Sequence, residues 1–167
     1  ITGVPLPQVM YGQALAKVTE REKVLGKDSK EMQVRDIYKE RAAAAKARKY
    51  KFTPMIGRSH GVHAEPITFG LKMALMFDEF GRALKRLEEA RETIRVGQLS
   101  GAVGTHAHLD PFVESYVCRK LGLQAAAIST QVLQRDRHAH YVAALALVGA
   151  SVDRWATEFR HLQRTEV

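Results

Sequence analysis

The chain has 167 residues, of which 46% are hydrophobic and 26% charged, and it carries a formal net charge of +8. This composition can bury a core and excludes an intrinsically disordered chain. A run of about 18 apolar residues does not occur, so no membrane span is predicted. The single cysteine, Cys118, excludes an internal disulfide and suits a reducing compartment. We therefore expect a cytoplasmic protein in which Cys118 is a small packing residue.

The positive charge is concentrated in the first third of the chain. Residues 1–52 hold twelve Lys and Arg against six Asp and Glu, a net of +6, whereas residues 53–167 hold a net of +2. A basic surface can attract nucleic acid or small anions. It can also be the solvated face of ordinary helices, and the sequence favours this interpretation because few aromatic side chains accompany the basic ones.

Apolar side chains recur along the chain with the period of an α-helix, and no stretch alternates apolar and polar residues for long. The pattern predicts an all-α protein of long, antiparallel helices, separated by breaks that contain glycine and proline. In chain order, the predicted helices cover residues 6–25, 32–49, 66–96, 111–123 and 130–164.

Two of the predicted helix starts carry local signals. Pro66 suits the first turn of the third helix, because a residue there needs no backbone N–H. Asp110 and Pro111 suit the cap and the first turn of the fourth helix. The third helix is apolar over more than one face, which indicates burial in a bundle or between subunits.

Histidine exchanges protons near neutral pH, and all seven histidines lie after residue 52. Six of them form close pairs in or beside the predicted breaks: His60/His63, His106/His108 and His138/His140. His60 and His63, with Glu65 nearby, could hold zinc, but neither an HExxH spacing nor a cysteine pair is present. The pattern leaves three interpretations open: catalytic histidines, imidazoles that cap helix ends and, less favoured, a metal site.

Two further segments contain residues that are typical of ligand sites. SGAVGT, residues 100–105, has small residues that let a ligand approach the backbone, and successive amides can hold an anion. STQVLQRDRHAHY, residues 129–141, places glutamines and arginines at the predicted start of a helix, where anions are attracted. Each segment considered alone also fits a tight turn or a salt-bridged helix start.

Together these segments resemble the adenylosuccinate lyase family of the fumarase/aspartase superfamily. TPMIGRSHGVHAEPITFGLK resembles the family's Arg-Thr-His-Gly…His-Ala-Glu-Pro stretch, and SGAVGT resembles its second conserved block. STQVLQRDRH and the closing LQRTEV are characteristic of this family rather than of its cousins. The motifs occur in the right order, and the resemblance covers residues 53–167 almost without gaps.

The resemblance implies elimination of fumarate from adenylosuccinate and from the related purine intermediate SAICAR, with no cofactor. A base removes a proton beta to the leaving nitrogen, and an acid protonates that nitrogen. By position in the motifs, His60 matches the catalytic general acid, Ser59 stands where the family has a substrate-contacting Thr, and Gln131 matches a substrate-binding glutamine. His63 matches a supporting histidine, and we expect no metal.

The family's catalytic base is a serine on a loop with the signature Ser-Ser-x-Met-Pro-x-Lys-x-Asn-Pro, which this sequence lacks. We therefore expect an incomplete part of the enzyme. Residues 1–52 would be a basic helical segment that matches the family weakly, and residues 53–167 the central helical-bundle core. The resemblance implies a homotetramer with shared active sites and small-molecule substrates, rather than a nucleic-acid or membrane partner.

Two alternatives stay open. Argininosuccinate lyase, or a cycloisomerase of the same superfamily, would use similar chemistry on a different substrate. A non-enzymatic helical module would instead bind nucleic acid through its basic first third, with an affinity that falls steeply with salt. The second alternative leaves the clustering of the histidines unexplained.

Overall fold

The computed structural model describes residues 34–165 of the chain. Helices dominate this part, so the predicted all-α class is confirmed, while the helix predicted at residues 6–25 lies outside the described residues. In chain order the elements are α1 (Val34–Lys49), β1 (Pro54–Ser59), β2 (Val62–Thr68), α2 (Phe69–Ile94), β3 (Val96–Gly97), α3 (Pro111–Lys120), β4 (Gln124–Ala125) and α4 (Asp136–His161).

The break between α1 and α2 is an antiparallel β-hairpin that the sequence did not predict. β1 and β2 pair from Pro54 opposite Thr68 to Ser59 opposite Val62. Most positions of the two strands are exposed, and the exposed side chains mix charged and polar residues such as Arg58 and His63 with apolar ones such as Val62 and Ala64. The hairpin therefore lacks the alternation of apolar and polar residues that reveals a half-buried strand.

The prediction that Pro66 opens a helix is wrong. Pro66 lies on β2 opposite Ile56, and α2 begins at Phe69. Proline is tolerated on a two-stranded ribbon, because each strand is an edge strand with one row of backbone groups outside the ladder. The first turn of α2 is held by Thr68, whose Oγ1 accepts a hydrogen bond of 3.2 Å from the Leu71 N–H. This side-chain oxygen supplies an acceptor that the first turn of a helix otherwise lacks.

The base of the hairpin is tied to the end of α1. The Phe69 N–H donates to the Thr53 carbonyl, and the Gly70 N–H donates to the Tyr50 carbonyl, both at 2.9 Å. The rings of Tyr50 and Phe69 meet edge to face with their centroids 5.3 Å apart. The start of α2 therefore lies beside the end of α1, and the hairpin connects the two.

The core of this region pairs small side chains on α1 with large ones on α2. Ala43 and Ala44 are buried and form an apolar cluster with Phe77, against which Met76 packs. Alanine is the strongest helix former and has a small side chain, so it both favours α1 and lets the two helices approach closely. Met73 and Phe77 are among the largest fully buried side chains of the described residues.

The chain divides into two compact units, the first ending at Arg82 and the second beginning at Ala83. The division that the sequence suggested, between residues 52 and 53, follows motif content rather than packing, and it stays a prediction.

In the second unit β3 pairs in parallel with β4, and the Arg95 Nε donates to the Gly122 carbonyl at 2.5 Å.

The two helices of the second unit differ in how well the sequence predicts their starts. Asp110 caps α3 as predicted, since its Oδ1 accepts a hydrogen bond of 2.7 Å from the Phe112 N–H, and Pro111 occupies the first turn. α4 begins later than the predicted residue 130. The Thr130 hydroxyl donates to the Val132 carbonyl at 3.3 Å, and such local bonds compete with helix formation.

Most of α4 faces solvent in this chain. Of its residues only Ala144 and Trp155 are buried. Its exposed large apolar side chains are Val142, Leu145, Leu147 and Val152. Even so, neither α4 nor any other helix within residues 34–165 is long and apolar enough to cross a membrane.

Replacing Gly70 with Ala should destabilise the first unit. A Cβ at this position would lie 2.5 Å from the Lys51 Cα and 2.6 Å from the Ala47 carbonyl oxygen. Backbone atoms cannot rotate aside as a side chain can, so the end of α1 must shift. We expect the free energy of unfolding to fall by about 1–3 kcal/mol, measured as a lower thermal midpoint by circular dichroism.

Gly149→Ala is the matched control, because Gly149 lies within α4 and, apart from the surrounding backbone of its own helix, no atom lies within 4 Å of the Cβ that the substitution adds. Alanine there should raise stability by about 0.5–1 kcal/mol, since glycine is the poorer helix former. A Gly70→Ala variant as stable as the wild type would contradict the close packing at the end of α1.

Candidate active site

The tip of the hairpin is a two-residue turn formed by His60 and Gly61. Both residues have positive φ angles, 54° and 79°, which is the pattern of a type I′ hairpin turn. Histidine is one of the few residue types other than glycine that are enriched in this backbone region. The Arg58 Nη1 donates to the Gly61 carbonyl at 3.2 Å and so braces the turn.

The hairpin exposes the predicted general acid, a predicted substrate contact and the supporting histidine to solvent. Ser59, His60 and His63 are all exposed. Ser59 lies opposite Val62 at the last pair of the ladder, and Arg58 lies opposite His63. A hydroxyl, an imidazole and a guanidinium near one exposed turn can donate hydrogen bonds to an anionic ligand, and the imidazole can also transfer a proton.

The second unit brings together two segments that the sequence marked separately. Ser100 is buried, and its Oγ lies 2.7 Å from the Ser129 Oγ. Gln98 Oε1 accepts hydrogen bonds from the Ser100 N–H at 3.0 Å and from the Ser100 hydroxyl at 2.9 Å. Gln98 Nε2 donates to the Gln131 carbonyl at 2.5 Å. We call Gln98, Ser100, Ser129 and Gln131 the serine cluster.

The direction of the bonds in the serine cluster follows from the number of protons available. Ser100 has one hydroxyl proton, and Gln98 Oε1, a carbonyl oxygen that can only accept, takes it. The hydroxyl of Ser129 must then donate to Ser100. The cluster is therefore a directed chain of hydrogen bonds, and the side chain of Gln131 stays exposed at its edge.

Close approach of the two backbones accompanies these hydrogen bonds. Gly104 has a φ of 81°, and a Cβ added to it would lie 1.9 Å from the Ser129 carbonyl oxygen. The loop that carries Gly104 is closed by a hydrogen bond of 2.9 Å from the His106 N–H to the Ser100 carbonyl. Glycine is therefore required at Gly104 by both its conformation and its neighbour.

Glu114, on α3, is a buried carboxylate beside the cluster that sequence reasoning missed. It is 5% exposed, and its Oε2 accepts a hydrogen bond of 2.5 Å from the Leu99 N–H. Its Oε1 lies 3.8 Å from His106 Nε2. The sequence does contain a signal, because Glu114 and Cys118 are four residues apart and so share the buried face of α3. Gln98 was also missed, since no local pattern reveals the partners of a loop amide.

A sequence model of the family described as Lyase matches residues 13–167. The chain belongs to this lyase family. Over 131 residues it is 59% identical to the adenylosuccinate lyase of Bacillus subtilis (strain 168), which covers 78% of this chain and 29% of that protein. Over 123 residues it is 58% identical to the adenylosuccinate lyase of Staphylococcus saprophyticus, which covers 74% of this chain and 28% of that protein.

The lyase chain thus spans less than a third of the length of these two relatives. The predicted resemblance to adenylosuccinate lyases is confirmed. The fold agrees, because the crystal structure of fumarate lyase from Mesorhizobium sp. BNC1 matches with a TM-score of 0.72 and 36% identity. That match covers 92% of this chain and 36% of the other, and it confirms the helical architecture of the fumarase/aspartase superfamily.

The predicted site residues of the lyase chain fall in both units. Ser59 and His60 lie on the hairpin of the first unit, and Gln131 lies in the serine cluster of the second. Their catalytic and binding roles stay predictions. Arg137, which the sequence placed near an anion site, donates to the Thr93 carbonyl at 2.9 Å. Within the described residues, no group of three or more His, Cys, Asp or Glu side chains is arranged to hold a metal ion.

Replacing Gly104 with Ala should separate the two segments of the serine cluster. Gly101→Ala is the matched control, because Gly101 also has a positive φ, 88°, but no atom lies within 4 Å of the added Cβ. Each substitution should cost about 1–2 kcal/mol for the left-handed conformation. Gly104→Ala should cost about 1–3 kcal/mol more, because the Ser129 backbone must move. Equal thermal midpoints for the two variants would argue against this close approach.

Proposed function

We propose that the complete protein eliminates fumarate from adenylosuccinate, giving AMP, and from SAICAR, giving AICAR, in purine biosynthesis. This chain would be the central part of its subunit. The observation that carries the proposal is the identity of 59% to an adenylosuccinate lyase over 131 residues. The exposed histidine turn and the serine cluster support it, because they offer a proton donor and hydrogen-bond donors for an anionic substrate.

In this proposal His60 is the general acid. A base removes the proton beta to the leaving nitrogen, and the electrons of that C–H bond form the new double bond of fumarate. The C–N bond breaks, and its electron pair stays on nitrogen, which leaves readily only when a proton reaches it. The exposed imidazole of His60, held at the tip of a braced turn, supplies that proton.

Ser59 and Gln131 bind the substrate. Removal of the proton places negative charge on the succinyl carboxylate, and donors already in position stabilise that charge. The exposed hydroxyl of Ser59 adjoins His60 in the chain, and the amide of Gln131 can both donate and accept. The backbone of Gln131 is fixed by Gln98, which leaves its side chain available to a ligand. His63 supports the turn from β2.

We infer that the complete enzyme is a cytoplasmic homotetramer whose active sites are shared between subunits. The support is the surface of α4, where large apolar side chains lie exposed along a helix of 26 residues. Contiguous apolar surface is unfavourable in water and is commonly covered by another chain. Residues 53–167 would build the shared bundle, with residues 1–52 as an adjoining basic segment.

Replacing His60 with Asn in the complete enzyme should lower kcat by about 10²–10⁴-fold. Asparagine also tolerates a positive φ, so the turn should keep its shape. Its amide cannot deliver a proton at neutral pH. The measurement is the rate of adenylosuccinate cleavage at saturating substrate, with circular dichroism to confirm the fold.

His63→Asn is the matched control, because it removes a second exposed imidazole from the same hairpin and leaves the turn residues in place. It should reduce kcat far less than His60→Asn does. Equal losses in the two variants would remove the case for His60 as the acid.

The 167-residue chain tested by itself should not cleave adenylosuccinate at a useful rate, because its sequence lacks the serine-loop signature that supplies the base. The measurement is fumarate formation at high protein concentration. Protein-dependent turnover that disappears in His60→Ala would overturn this expectation.

With the complete enzyme, inhibition by arginine rather than by AMP would instead favour the argininosuccinate branch of the superfamily.

A further inference from the structure

Glu114 is a buried carboxylate for which the proposed chemistry has no use. Its side chain is 6% exposed, so water contributes little to stabilising a charge there. A buried carboxylate needs hydrogen-bond donors, and Oε2 accepts a hydrogen bond from the Leu99 N–H at 2.5 Å. The bond ties the backbone at Leu99 to α3.

The same carboxylate meets the far end of the loop that begins at Leu99. Its Oε1 lies 3.8 Å from the Nε2 of His106. His106 has a positive φ of 54°, a conformation that persists only when the surroundings hold it. The His106 N–H also donates to the Ser100 carbonyl at 2.9 Å. Glu114 therefore bridges the two ends of a loop that a backbone hydrogen bond already closes.

The loop from Leu99 to His106 connects Glu114 with Gln131, the predicted substrate-binding residue. Leu99 lies between Gln98 and Ser100, and the side chains of both neighbours reach the second segment. Gln98 holds the Gln131 carbonyl, and Ser100 contacts the Ser129 hydroxyl. Because peptide units are rigid planes, a displacement of Leu99 moves both neighbours. A series of contacts thus joins Glu114 to Gln131 through Leu99 and Gln98.

We propose that Glu114 is a positioning residue that sets the place of Gln131 through the loop from Leu99 to His106. The role of Gln131 as a substrate contact rests on the proposed function, whereas the contacts that link it to Glu114 do not. Glu114 acts on substrate affinity rather than on proton transfer, since it reaches the site only through the loop.

The kinetic test is Glu114→Gln in the complete enzyme. The amide keeps an acceptor for Leu99 but loses the charge, and bonds to charged groups are the stronger ones. We expect KM for adenylosuccinate to rise about tenfold while kcat stays within about twofold, since binding and not chemistry is affected. A purely structural role would instead reduce the amount of folded enzyme, which lowers the maximal rate and leaves KM unchanged. That outcome would overturn the proposal.

Glu88→Gln is the matched control, because Glu88 is an exposed carboxylate on α2 in the same unit. Its KM should equal that of the wild type. The double variant Gln98→Ala/Glu114→Gln tests the route through the loop. If both residues act on Gln131 along one route, the fold-increase in KM of the double variant should be smaller than the product of the fold-increases of the two single variants. Fully multiplicative effects would show independent action and contradict the proposed route.

Amide hydrogen exchange separates this proposal from the proposed function. In Glu114→Gln, peptides that span residues 98–106 and 129–131 should exchange about tenfold faster, while peptides from the middle of α4 should not change. If the wild-type enzyme fails to cleave adenylosuccinate, the proposed function fails, and the exchange result still decides the positioning role. Unchanged exchange in both segments would overturn it. If Glu114→Gln does not fold, Glu114→Asp, which keeps the charge and shortens the reach, is measured in the same way.

Discussion

The hydrogen bond from the Gln98 side chain to the Gln131 backbone is the contact on which the second unit's candidate site depends. The two segments that it joins are loops just beyond the short β3–β4 ladder, which pairs Gly97 with Ala125 and does not extend to Ser129 or Gln131. Their placement depends on side chains that satisfy buried polar groups. Ser100 and Gln98 do this for each other, and Gly104 leaves the space that lets the backbones approach.

The first unit fixes its candidate site by a different means. His60 sits on a turn whose two strands are paired by backbone hydrogen bonds, and Arg58 braces the turn itself. The backbone hydrogen bonds between β1 and β2 therefore set the position of the His60 backbone, and this position depends little on the side chains of the other strand residues. This arrangement leaves the imidazole exposed, which suits the proton-donating role proposed for it. The serine cluster, in contrast, is built from side chains and is sensitive to each of them.

The sequence predicted those parts of the fold that are encoded locally. α1 follows from its run of alanines, and the start of α3 follows from Asp110 and Pro111, because a cap acts within a few residues. The hairpin was missed because its stabilising contacts are backbone bonds and its exposed side chains carry no period. Pro66 was misassigned because proline suits both an edge strand and a first helical turn.

The candidate site was predictable from motifs and not from geometry. Ser59, His60 and Gln131 were selected by resemblance to a family, and the structure then showed the turn and the hydrogen bonds around them. Gln98 and Glu114 escaped because their partners lie on other segments, 33 residues away in the case of Gln98 and Gln131, and 15 residues away for Glu114 and Leu99. Single-sequence patterns describe neighbours along the chain, whereas these contacts are created by folding.

The position of Cys118 has a practical consequence for following motion in this chain. Its thiol is the only one in the sequence, it is buried, and a Cβ added to Gly97 on β3 would lie 2.9 Å from its Sγ. A thiol reagent can reach the buried Cys118 only when the structure around it opens. The rate of chemical labelling therefore reports how often this part of the second unit opens, with no engineered probe and no second cysteine to confuse the signal.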